Sequence, residues 1–335
     1  MIIFGSILKN SSNYKIKEMI RNSFDYLFEL ILNPNKTNNL KEIIFCLISK
    51  IIKYHSDVIE ENQNNNLLEK LITLNIEALK SNNIKFMISN LKIISNLYYY
   101  LNSNKNQEHT SNELSHFTQN VLQIIYEICF DKNRIDSLNN NNINNNNQDD
   151  NQHLIYEAFS TMGKIIEFSY TNTKLIIRDL FERLFEDFKS FINNSSYSKN
   201  LKKIFFGCIC ENFDCAISSG NILINLEISK NLSAVIIESF KELSDVYEEG
   251  VYVFVGISNI LNEDFEIIFK EYLGPYLIHC LKSEDLSLRK VGFICLESII
   301  SNLSCKFEPY IEEFFKIIYF YLNVKIFYLM LILFY

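Results

Sequence analysis

The chain has no tryptophan and only three prolines and eight glycines in 335 residues. Average chains carry roughly 7% glycine and 5% proline. Helix breakers are therefore scarce, and turns must be built from Asn, Ser and Asp. An excess of positive charge is also lacking. Against 40 Asp and Glu stand 32 Lys and Arg, a net charge of −8, which argues against a nucleic-acid partner held on a broad basic surface. A mildly acidic surface suits basic protein partners and is also an ordinary level for solubility. The N-terminal apolar run is too short for a secretory signal. The eight cysteines (Cys46, Cys129, Cys208, Cys210, Cys215, Cys280, Cys295 and Cys305) therefore read as reduced thiols within apolar helical runs, not as a disulfide framework. The N-x-S matches at Asn10, Asn194, Asn231 and Asn302 are then accidents of an Asn-rich chain.

Enzyme signatures are missing as well. His55, His109, His116, His153 and His279 are scattered along the chain. On a helix Cys208 and Cys215 share a face while Cys210 turns away, which is not metal-ligand spacing. No glycine-rich phosphate loop, G-x-S-x-G or HExxH pattern occurs. The sequence predicts no catalytic centre, no cofactor and no metal site.

What is present is periodicity. Apolar residues recur at i, i+3, i+4 and i+7 in successive blocks, the helical period. From Asp245 to Leu322 the chain runs helix, short turn, helix, and then repeats at a spacing of about 40 residues, the signature of a HEAT-type solenoid. The expected fold is all-α: a HEAT-repeat superhelix of antiparallel helix pairs, about six to seven repeats over 1–323. First (A) and second (B) helices of the pairs alternate. A B-like helix is expected at 2–9, then A at 16–32 and B at 39–54. Pairs follow at 66–80 with 83–101, 111–130 with 151–170, 172–193 with 198–219, 229–242 with 245–262 and 265–282 with 285–303, and a last A helix at 306–323. Residues 132–152 (KNRIDSLNNNNINNNNQDDNQ) bury too little apolar area to order themselves and read as a disordered insert between an A and a B helix. Residues 314–335 are apolar and long enough to span a bilayer at 1.5 Å per residue. Residues 314–322 are accounted for as the face of the last A helix, however, and the remaining 324–335 are too few to span alone. That hydrophobic tail reads either as a membrane tether or as an unpaired end open to contact.

Particular residues carry the reading further. Asp285, Arg289 and Gly292 follow the opening of a HEAT B helix, with Asp and Arg spaced to pair between repeats. Gly274-Pro275-Tyr276-Leu277 and Glu308-Pro309-Tyr310-Ile311 place a proline in consecutive A helices, where it bends them. The block VYEEGVYVFVGISNILNEDFEIIFKEYLGPYLIHCLK, with these features, resembles the middle of importin subunit beta, the karyopherin that carries cargo through nuclear pores. LIYEAFSTMGKIIEFS, LIIRDLFERLFEDFKSFI and MIRNSFDYLFELILNPNKTNNLKEIIFCLISKII are similar to the preceding repeats, in order, so the resemblance covers nearly the whole chain.

The resemblance implies a scaffold in protein import into the nucleus, present in cytoplasm and nucleus and at the pore. Its partners would be FG nucleoporins, the Ran GTPase, basic cargo or an importin-alpha-like adapter. The family's N-terminal repeats, which make its main Ran contact, and its acidic loop have no counterpart in this sequence. The family also stacks B-helix tryptophans on adapter arginines. Here Lys92 stands at a position aligned with one of them, and a cation repels an arginine. The alternative is a truncated or degenerate HEAT paralogue acting as a plain scaffold, or one tethered to a membrane by its C-terminal helix.

Two sets of residues are candidates for partner binding. Glu248 and Glu249 open a B helix, and B helices line the family's concave face. Either they receive basic partner residues or they simply complement the helix dipole, worth about 0.3–1 kcal/mol. Phe269, Tyr272 and Tyr276 on one A helix, with Phe314 and Phe315 on the next, either line pockets for nucleoporin phenylalanines, as the resemblance implies, or form core.

Overall fold

The computed structural model describes residues 14–33, 35–54, 67–81, 83–102, 108–139, 145–169, 173–243, 247–303 and 307–320, with the side chains of some helical residues, Glu248 among them, outside the described set. Among the described residues there is no strand. The helices are α1 (Tyr14–Leu32), α2 (Asn38–Tyr54), α3 (Leu67–Leu79), α4 (Ile84–Asn102), α5 (Glu108–Cys129), α6 (Lys132–Asn139), α7 (Asn145–Glu167), α8 (Lys174–Asn193), α9 (Lys199–Ser218), α10 (Leu226–Glu242), α11 (Tyr247–Leu261), α12 (Phe265–Ile268), α13 (Gly274–Lys282), α14 (Leu286–Leu303) and α15 (308–320).

The polar residues that replace Gly and Pro in the turns act as caps. Ser198 Oγ accepts from the Leu201 amide at 3.3 Å, Asn225 Oδ1 from Ile228 at 2.9 Å and Asn83 Oδ1 from Phe86 at 3.2 Å. Each satisfies one of the amides that a helix start leaves open, worth about 1 kcal/mol.

The chain divides into two compact units at Leu180/Phe181. In the first, the B helices α2, α4 and α7 stack side by side, with α3 and α5 forming the other layer. Phe45 meets Phe86 edge-on with centroids 4.8 Å apart, and Asn96 donates to Ser49 Oγ at 2.8 Å, 47 residues away. Thr161 in α7 donates to the Leu91 carbonyl of α4 at 3.3 Å, a separation of 70 residues.

The longer separation reflects the Asn-rich insert, and here the structure corrects the expectation of disorder over 132–152. Residues 132–139 form α6, and the B helix begins at Asn145 instead of near 151. Asp131 Oδ1 accepts from the Arg134 amide at 3.0 Å and starts α6. Ile135 and Leu138, spaced i and i+3, are buried, and α6 packs on α7. Two apolar residues on one face suffice when a neighbouring helix supplies the other half of the interface. Residues 140–144 lie outside the described residues.

In the second unit α9, α11 and α14 stack as the B layer. Lys202 Nζ donates to Glu242 Oε1 at 2.7 Å, 40 residues on, and Lys230 Nζ to Glu271 Oε1 at 3.1 Å, 41 residues on. The second of these contacts joins successive A helices, and its 41-residue separation is the expected repeat spacing. The layers approach closely at glycines: a Cβ on Gly250 would stand 2.5 Å from Phe240 Cζ. The interior, mostly aliphatic, also holds a cluster of aromatic rings. Phe188, Phe205, Phe206 and Phe213 are all fully buried, and Phe191 stacks on Phe205 at 4.1 Å. Such pairs add about 0.5–1.5 kcal/mol each beyond area burial.

The A helix expected at 265–282 is composite. It contains a π-helical turn, Phe269–Leu273, between α12 and α13. Pro275 has no amide to donate and its ring displaces the preceding turn, so the helix widens and the Gly274 amide donates to the Phe269 carbonyl five residues back. A Cβ on Gly274 would lie 3.0 Å from that same oxygen, which makes glycine the residue that permits the turn. Pro309 falls in the first turn of α15, where no amide is needed.

Among the described residues no helix is long and apolar enough to cross a membrane. The expected helix at 2–9 and the tail 324–335 lie outside them.

Candidate partner-binding surfaces

The paired helices leave two edges for a partner: the side of the A helices and the outer edge of the B helices. At the A side of the second unit, Phe269 is the hub of an aromatic cluster. Its ring lies 5.7 Å from Phe307, 4.9 Å from Tyr310 and 6.2 Å from Phe314. Phe269 is fully buried and Phe314 is 2% exposed, so both belong to the interior. Tyr276 is also buried and stacks on Phe240 at 4.6 Å, joining successive A helices. Tyr272 is half-buried. Phe315 alone among the expected pocket aromatics projects outward, 64% exposed.

Periodicity explains the split. Phe307, Phe314 and Ile317 share the inward face of α15, whereas Ile311, Phe315 and Tyr319, at i, i+4 and i+8, form an outward stripe. Beside it lies an open groove of about 660 Å³ lined by Lys282, Pro309, Glu312, Glu313, Lys316, Ile317 and Phe320. Lys316 Nζ spans to Glu312 Oε1 at 2.6 Å on its rim. Tyr319 and Phe320 were not among the expected site residues. Their outward position follows from the helical phase set by Phe314.

At the B edge of the second unit, Glu249 is exposed on α11 and its carboxylate lies beside Gly207 of α9, 3.5 Å from where a Cβ would stand. Glu211 and Asp214 of α9 carry like charge, and Tyr252 is exposed on α11. Burial pushes the Cys208 and Cys210 thiols far up from their ordinary range, and the carboxylates of Glu211, Glu249 and Asp214 push them further. Burial likewise holds Cys280 up at about 11 and raises Cys295. Nucleophilic chemistry requires the thiolate, so these thiols are inert. Among the described residues no three His, Cys, Asp or Glu side chains converge as a metal site. The side chain of Glu248 lies outside the described set, and Asp285 and Arg289 fall at the start of α14, where the Arg289 guanidinium donates to the Glu284 carbonyl at 3.4 Å.

The first unit's B edge is different in kind. Lys92 of α4 pairs with Glu157 of α7 at 3.8 Å, and His153 stands 3.9 Å from the same carboxylate. Burial raises the Glu157 carboxyl above the usual range, while Lys92 and then His153 pull it back. Two turns along α7, Lys164 pairs with Glu167 at 2.8 Å beside the exposed ring of Tyr99.

These observations define the class: an all-helical HEAT-type α-solenoid built from stacked antiparallel helix pairs. The chain superposes on importin beta crystallised in an ammonium sulfate condition with a TM-score of 0.76 at 13% identity, covering 94% of this chain and 34% of that one. Kap95, the yeast importin-beta, in its complex with Nup1 matches with a TM-score of 0.70 at 14% identity over 94% and 34% of the two chains. Kap95p in the structure where it induces the switch loops of RanGDP to adopt the GTP-bound conformation matches with 0.68 at 14% identity over the same shares. The chain spans about a third of the length of these structures. At this identity the likeness is one of fold. No family model matches the sequence, and no curated protein does.

Proposed function

We propose that the chain is a non-enzymatic, protein-binding HEAT solenoid that takes part in protein import into the nucleus, moving between cytoplasm and nucleus. The observation that carries this reading is the superposition of 94% of the chain on importin beta, two of whose matched structures concern Nup1 and RanGDP. The stripe of Ile311, Phe315 and Tyr319, with Tyr272 and the groove beside Phe320, offers the FG nucleoporin contact, held in place from within by Phe269, Tyr276 and Phe314. The carboxylates of Glu249, Glu211 and Asp214 offer a contact for basic cargo, to which Glu248 would add. Full-length protein immobilised and offered an FG-repeat peptide, Ran-GTP and a basic cargo peptide is the test. Capture of the FG peptide that is lost in Phe315→Ser supports the reading, and capture of none of the three sinks it.

A second reading, a plain HEAT scaffold outside transport, is favoured by one observation. Lys92, which the resemblance aligns with one of the family's stacking tryptophans, is engaged by Glu157, so on that alignment an adapter arginine finds no ring there. It predicts that an importin-alpha-like adapter peptide fails to bind even where FG peptide does.

A further inference from the structure

On the solvent face of α14, three apolar side chains recur at intervals of seven residues. Leu286 is 68% exposed, Phe293 39% and Ile300 41%. Seven-residue spacing drifts by only about 20° per interval on a straight helix, so the three lie along one line. Lys290 and Glu297, exposed and themselves seven residues apart, run down one flank of that line. Leu288, Cys295 and Ile299 fall on the opposite face and are buried. Single exposed apolar residues are ordinary, but a continuous stripe with charges along its edge has the pattern of a helix–helix seam.

The stripe is not the flank that a following repeat would cover. α11 lies one repeat earlier and is packed on both sides, by α9 and by α14. One repeat is 41 residues, the separation of Lys230 and Glu271. By that spacing Tyr252 and Asn259 of α11 correspond to Phe293 and Ile300, and both stay exposed although α11 is flanked. The stripe therefore belongs to the open face of the B layer. Lys290 likewise corresponds to Glu249, so a cation stands at α14 where α11 carries a carboxylate.

The pattern is complementary to itself. When a second α14 is laid antiparallel on the first, with Phe293 facing Phe293 on a two-fold axis, Leu286 meets Ile300 of the other copy. Lys290 and Glu297 sit on the same flank, on either side of Phe293, so each lysine meets the other copy's glutamate. The charges pair twice, and such flanking pairs set orientation in a heptad seam. In a parallel pair the two charged flanks lie on opposite sides and do not meet. A carboxylate has room for several donors, so Glu297 takes up this contact beside those it makes within its own chain.

We propose that this face of α14 is a contact between two copies of the chain, packed antiparallel through Leu286, Phe293 and Ile300 and held in register by Lys290 and Glu297. An isologous contact of this kind closes on itself and gives a dimer, not a filament. α14 has 18 residues, a length of about 27 Å. One such helix per copy buries less than the roughly 800 Å² per partner of a standard interface, so the dimer is weak and concentration-dependent. The contact does not depend on any transport partner.

Sedimentation equilibrium of the full chain from about 2 to 200 μM tests it, a range suited to an interface at the small end of the scale. The average mass should climb from that of the monomer toward twice that value. Phe293→Asp sets two carboxylates face to face on the axis and should hold the chain monomeric. Lys290→Glu and Glu297→Lys should each weaken association about tenfold, because each turns two attractions into two repulsions. The double variant, and an equimolar mixture of the two single variants, should recover it, since both restore opposite charges across the contact. Failure of the mixture to recover overturns the antiparallel pairing. A wild-type chain that stays monomeric throughout overturns the proposal and leaves the stripe to a helix of another protein. A dimer that survives Phe293→Asp but is lost in Phe315→Ser overturns it as well and puts the contact on α15. Far-UV circular dichroism and the melting temperature of each variant separate loss of the dimer from loss of the fold.

Discussion

The two units build the same stack by different lengths of chain. In the second, Lys202 reaches Glu242 and Lys230 reaches Glu271 across 40 and 41 residues. In the first, Thr161 reaches Leu91 across 70, because α6 and the start of α7 intervene. The B helices still pack directly in both. Helix ridges and grooves set the register, so additional chain placed between an A and a B helix is absorbed there without separating the layers. The B edges differ too. In the first unit Glu157 and Glu167 pair with Lys92 and Lys164; in the second Glu249 raises both Cys208 and Cys210, with Glu211 adding to the first and Asp214 to the second. A solenoid can therefore keep one architecture while its repeats offer partners different chemistry.

The comparison can be broken first at the interior of the second unit. Phe269→Ala removes the hub of four aromatic rings and leaves a cavity, with an expected loss of about 3–5 kcal/mol. Chemical denaturation reads the total, and hydrogen exchange should show lost protection concentrated in 262–320. Uniform loss along the chain would mean that the contacts are not nearest-neighbour. Next in size is Gly250→Ala, which drives a Cβ into Phe240 and is expected to cost about 1–3 kcal/mol by overpacking. An unchanged melting temperature would contradict the close approach of α10 and α11. Smaller again is Ile135→Ser with Leu138→Ser in the insert. Amide protection over 132–139 should vanish while the B-layer contacts, read by protection in 84–102, persist. Parallel loss in both would show that α6 is part of the stack.

The smallest effect is a pH dependence. The Glu157 carboxyl is raised by burial, so the folded form holds its proton more tightly than the unfolded chain does. Its contribution to stability is complete below the ordinary value of 4.5 and is lost as pH rises through the folded value. Glu157→Gln removes that loss, so its stability relative to wild type should improve as pH rises from about 4 toward 6. A difference that does not vary with pH would contradict the assignment.

Most of the helix plan was legible from apolar periodicity: expected 39–54, 83–101 and 285–303 lie within a residue or so of α2, α4 and α14. Three features were not. The order of α6 depends on two apolar residues finding a neighbour, and composition over 132–152 hides them among asparagines. The π turn arises because Pro275 forces a detour and Gly274 allows it, where periodicity predicts only a bend. Tyr99, Phe168 and Lys164 meet only when α4 and α7 stack, 65 to 70 residues apart in the chain, beyond the reach of local pattern.

We propose that the solenoid binds partners of the import type, and FG-peptide binding tests that proposal most directly. Surface plasmon resonance of the full chain against an FG-repeat peptide should give saturable binding that Phe315→Ser abolishes while the circular dichroism spectrum stays the same. No binding by the wild-type chain, or binding that Phe315→Ser leaves untouched, would contradict the account.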